Sequence, residues 1–96
     1  MAALSRTEIQ RWLEELAQKL GAKVIYDDLN FPGGNCRSKG QFYIIINDRL
    51  ALDEKIRYLC AGVSELPWEN EQLPPEIQNL LVRKPAASGT PSRNPV

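Results

Sequence analysis

Everything this chain can become is limited first by Phe42-Tyr43-Ile44-Ile45-Ile46, its longest apolar run. Five β-branched or aromatic residues in succession read as a strand, and the lack of alternation predicts a strand covered on both faces. Ser38-Lys39-Gly40 precedes it as a tight turn, read as a three-residue loop ending in glycine. Asn47-Asp48-Arg49 ends it. A helix then starts near Leu52, with Asp53 and Glu54 in the first turn, where negative charge suits the helix dipole. Leu52, Ile56, Leu59, Cys60 and Val63 form its apolar face, and Pro67 stops it.

The rest of the chain must supply the cover. Ser5-Arg6-Thr7-Glu8 fits a capping box, with Ser5 as N-cap and Glu8 three residues on. Leu4 and Ile9 occupy the matching staple positions. Ile9, Trp12, Leu13, Leu16 and Leu20 share one helical face, and Gly21 serves as the C-terminal cap. Ala22–Asp27 reads as a strand. Asp28–Asn35 is rich in turn residues, and Asn35–Arg37 forms a short second strand. Pro74-Pro75-Glu76 opens a last short helix through Val82, since proline is tolerated at the first helical position. From Arg83 to Val96 the composition leaves nothing to pack, which predicts a disordered tail. The expected fold is α+β, in the order α-β-β-β-α, with a small antiparallel sheet, helices on one face and a short C-terminal helix. Residues 1–82 form its single domain.

Charge and composition exclude several functions. Twelve basic and twelve acidic residues give a net charge of zero, so neither nucleic acid nor an anionic membrane is an expected partner. Arg83, Lys84 and Arg93 stand in the tail, leaving residues 1–82 at a net −3. A five-residue apolar run is far below a membrane span. Two cysteines without a signal peptide point to a reducing cytoplasm.

The chain has no histidine. That removes Ser-His and Cys-His nucleophilic systems and the usual zinc sites. Neither a metal nor another cofactor is expected. The most enzyme-like stretch is Pro32-Gly33-Gly34-Asn35-Cys36-Arg37. Backbone amides freed by Gly33 and Gly34 would cradle an anion, and Arg37 would favour a Cys36 thiolate. This set defines the alternative function, a thiol-based or anion-binding enzyme. The simpler reading is a turn that needs glycine, followed by a strand cysteine.

The run Gly21–Leu66 carries a resemblance. Strand Val24-Ile25-Tyr26, loop Leu29–Gly34, strand Tyr43–Asn47, then Leu50 and the helix from Asp53 resemble the start of the ImmA/IrrE-type zincin peptidases. In that family the helix holds His-Glu-x-x-His, two zinc ligands flanking a general base. The matching turn here is Ala61-Gly62-Val63-Ser64-Glu65, with neither histidine and with Gly62 at the place of the base. The resemblance therefore implies a zincin-like scaffold without metal chemistry. The Gly-Gly-x-Cys-Arg hairpin is also similar to that of a small bacterial family, and this second likeness implies no activity.

The function expected from these residues is a non-catalytic protein-interaction module, self-associating as a homodimer. Phe42, Tyr43, Ile45 and Trp68 are its candidate interface residues, Trp68 because an aromatic beyond a helix stop anchors contacts.

Overall fold

The structure, a computed structural model, describes residues 3–82. The tail expected at 83–96 lies outside the described residues. The elements run α1 (Arg6–Lys19), β1 (Ala22–Asp27), β2 (Gly33–Ser38), β3 (Gln41–Asn47), α2 (Leu52–Val63), a 3-10 turn (Trp68–Asn70) and α3 (Pro75–Val82). The α-β-β-β-α order and the α+β class are as the sequence indicates.

Local signals carry most of this. Ser5 Oγ accepts the Glu8 backbone N–H at 3.1 Å, and Glu8 Oε1 accepts the Ser5 N–H at 2.8 Å, closing the capping box. Gly21 leaves α1 at φ +97°. The β2–β3 connection is tighter than the three-residue loop expected. Ser38 pairs with Gln41, and both central residues, Lys39 and Gly40, have positive φ (52° and 81°), the pattern of a type I′ hairpin.

The sheet is mixed rather than wholly antiparallel, and its order is β1-β3-β2. β1 runs parallel to β3, with Ala22 opposite Phe42 and Asp27 opposite Asn47, while β2 is antiparallel to β3. The reason lies in composition. The apolar strand takes the centre, where it is paired on both sides, and the glycine-rich polar strand Gly33–Ser38 takes an edge. The chain reverses between β1 and β2 and reverses again in the hairpin, so β1 and β3 point the same way.

The loop from β1 to β2 must cross the end of β3, and Asn47 holds it there. The Asn47 Nδ2 donates to the carbonyls of Leu29 (3.0 Å) and Phe31 (3.1 Å), and its backbone N–H donates to the Pro32 carbonyl (2.9 Å). Its Oδ1 accepts the Arg49 N–H at 3.0 Å, which organises the turn into α2.

β3 is not covered on both faces, contrary to expectation. Burial alternates along it: Phe42, Ile44 and Ile46 are buried, whereas Tyr43 and Ile45 are half-buried. The buried set joins Ile9, Leu13, Leu16 and Ala17 of α1 and Ile56, Leu59 and Val63 of α2 in one core. α3 does not close the second face either. It packs on α2 and α1 and brings Ile77 and Leu81 into the same core. Glu76 at its start accepts the Leu4 N–H at 2.7 Å, tying the two ends of the described chain together.

Candidate functional site

The pleat and the register assemble the open face of the sheet. Side chains alternate across a strand, and paired residues share a face. Lys23, Tyr43 and Cys36 therefore form one outward row, and Ile25, Ile45 and Gly34 form the next. Among the described residues no helix packs on this side. Ile25 is 38% exposed, a high value for an isoleucine inside a strand. Gly34 adds to the opening, because a Cβ built there would meet nothing within 4 Å. Asp27 and Asn47 close the row at one end and Gln41 at the other. The result is an open face whose centre is apolar. Phe31, 49% exposed, stands in the crossing loop at its Asp27 end.

This geometry sorts the candidate interface residues. Tyr43 and Ile45 lie on the open face. Phe42 does not: at 6% exposure it belongs to the core, because the alternation sends it inward beside Ile44 and Ile46. Trp68 folds onto the core from the 3-10 turn and is half-buried. Ile25 is the residue that sequence reasoning missed. Its signal was its place between Lys23 and Asp27, a polar-apolar-polar alternation that marks an outward row.

The glycine-cysteine-arginine stretch forms the edge strand β2. Cys36 is exposed and faces outward with Tyr43, while Arg37 belongs to the opposite face, its guanidinium 5.1 Å from the centre of the Phe42 ring. The two side chains point away from each other. Gly33 has a packing role: a Cβ there would stand 2.3 Å from the Ile45 carbonyl oxygen, at φ +139°. Gly34, by contrast, is open. The four residues share a strand without converging on one point.

On the covered side, a polar cluster sits at the carboxyl ends of β1 and β3. The Tyr26 hydroxyl donates to Glu14 and accepts from Gln10 Nε2 at 3.1 Å. Burial first, then the hydrogen bond to Glu14, raise the Tyr26 phenol far above the ordinary tyrosine range. Lys55 Nζ lies 5.6 Å from the Tyr26 ring centre and 3.3 Å from Asp48 Oδ1. A phenol held this firmly protonated cannot serve as a base near neutral pH. The cluster cross-links α1, β1 and α2.

A shallow cleft of about 320 Å³ lies between the helices, lined by Arg6, Asp53, Ile56, Arg57, Cys60 and Leu80. Arg6 is paired with Asp53 at 2.9 Å, which leaves the Arg57 guanidinium as the one net charge among the lining residues. Among the described residues no three Cys, Asp or Glu side chains gather where they would hold a metal ion. None of the described helices is long and apolar enough to cross a membrane. Where the zincin resemblance places a general base, Gly62 is buried against Ile44.

No protein family, no curated protein and no solved structure matches the chain.

Proposed function

We propose that this chain is a non-catalytic protein-interaction module of the cytoplasm that self-associates through the open face of its sheet. The observation that carries this reading is the outward row Ile25–Ile45 beside Gly34, apolar side chains on a strand face with no covering element among the described residues. An apolar sheet face left in water loses the gain from burial, and a second layer about 10 Å away recovers it. The zincin resemblance contributes a scaffold to this reading and no chemistry.

The test is the molar mass by light scattering across a dilution series, for the wild type and for Ile45→Glu. The wild type is expected at twice 10.8 kDa, falling towards 10.8 kDa on dilution. Ile45→Glu is expected to stay monomeric with an unchanged circular dichroism spectrum, since the side chain points away from the core. A wild type that is monomeric throughout refutes self-association. A dimer untouched by Ile45→Glu moves the interface off this face.

A further inference from the structure

We propose that the two copies meet face to face with their strands antiparallel, so that Lys23 of each lies opposite the partner's Asp27. The inference rests on the self-association read above and adds its geometry.

The argument starts from β1. Its outward residues are Lys23, Ile25 and Asp27, a cation and an anion with an isoleucine between them. At about 3.3 Å per residue the two charges stand roughly 13 Å apart along the strand. Neither forms an ion pair with another described residue, as Arg6, Lys19, Arg49 and Lys55 do. Asp27 Oδ1 accepts the Asp28 N–H at 2.8 Å, which holds the carboxylate at the end of the strand. The other two strands place no ionisable carboxylate or ammonium on this face: β3 contributes Gln41, Tyr43, Ile45 and Asn47, and β2 contributes Gly34, Cys36 and Ser38. Lys23 and Asp27 are therefore the charged pair that decides how a second copy lies.

Two copies in a closed dimer share a two-fold axis, and the same patch serves both. For two sheets stacked on this face in aligned packing, with strand directions within about 30° of each other, that axis runs either along the strands or across them. An axis along β3 lays β1 over the partner's β2. Lys23 then meets the row of Cys36, and both charges lose water without gaining a counter-charge. An axis across the strands, through the row Ile25–Ile45–Gly34, lays β1 over β1 in reverse. Ile25 meets Ile25 and Ile45 meets Ile45 at the axis, and Gly34 leaves room for their approach. Lys23 and Asp27 then form two equivalent pairs at the rim. Opposite charges there fix orientation and reject the alternative, the role that rim charges serve best.

Charge reversal tests the geometry. Lys23→Asp and Asp27→Lys each turn two attractive pairs into two repulsive ones. Each alone is expected to weaken the homodimer about tenfold at low salt, the scale of two exposed pairs reversed. Mixed together, the two variants become complementary at both positions. The mixture is expected to dimerise as the wild type does, and so is the double variant Lys23→Asp/Asp27→Lys. Light scattering reads the affinities, and circular dichroism confirms that each variant is folded. Single variants that dimerise like the wild type, or a mixture no tighter than its components, overturn the antiparallel arrangement and leave self-association standing. A wild type that does not dimerise overturns both.

Discussion

Gly62 lies directly against the side chain of Ile44: a Cβ built on it would stand 2.6 Å from both Cδ1 and Cγ1. Ile44 is fully buried at the centre of the sheet, so it has nowhere to withdraw. Alanine at 62 would gain about 1 kcal/mol of helix propensity and lose about 1–3 kcal/mol to overpacking. Gly62→Ala is therefore expected to lower the urea midpoint. Adding Ile44→Val, which removes Cδ1, should recover part of the loss, and a double-mutant cycle should show coupling between the two sites. A raised midpoint in Gly62→Ala alone would mean that α2 is free to lift from the sheet.

Two adjacent glycines should behave in opposite ways. Gly33→Ala drives a methyl group into the Ile45 carbonyl at a positive φ, and backbone cannot yield as a side chain can. A loss of more than about 2 kcal/mol is expected. Gly34→Ala meets open space and should change stability by less than about 1 kcal/mol. Denaturant titrations of both variants, at a concentration where each is monomeric, check the contrast.

Tyr26 sets a pH dependence on the alkaline side. Burial, and then the hydrogen bond to Glu14, raise its folded-state pKa above the ordinary phenol value of 10.0. The unfolded chain therefore releases this proton first. The contribution is fully present below about pH 10 and drains away as pH rises beyond it. Tyr26→Phe should lose about 1 kcal/mol near neutral pH from the missing hydrogen bonds. It should also flatten the fall in stability above pH 10. An equally steep alkaline fall in the variant would place its origin elsewhere.

Cys36 reports on the open face without any substitution. It is exposed and shares an outward row with Tyr43 and Lys23. Reaction with a thiol reagent should be fast in dilute protein and slow several-fold as concentration rises through the dimer transition. Cys60, half-buried on α2, should react slowly throughout. A Cys36 rate independent of concentration would leave its row outside the interface.

The helices were legible because their signals are local. The Ser5–Glu8 box, Gly21 and Pro75 act within a turn of the bonds they determine. The strand Ala22–Asp27 was legible to the residue, because its β-branched centre is bounded by glycine and by two aspartates. Strand order was not legible in the same way. Nothing in Gly33–Ser38 states locally that β1 will bypass it to pair with β3; that follows from which strand gains most from the central position. The open face was misread for a related reason. Five apolar residues in a row do not reveal which of them point inward. Only the neighbouring strand, where Lys23 and Asp27 stand four residues apart and so share a face with Ile25, shows that one side meets water. Part of the candidate site, Tyr43 and Ile45, was therefore visible early, and Ile25 was not.

The position of β3 has a consequence during synthesis. Among the described residues β1 has one strand neighbour, and that neighbour begins about twenty residues later, Ala22 pairing with Phe42. A nascent chain that has reached Ser38 carries a finished α1 and a β1 with no ladder to join. The loop it must close is long, and closure draws on entropy before any pairing returns it. The hairpin Gly33–Asn47, tight and local, is the natural first event once residue 47 is made, and it presents the free edge onto which β1 docks. Truncations released before Asn47 should accordingly hold helix without sheet, and those that extend past it should be the first to acquire both.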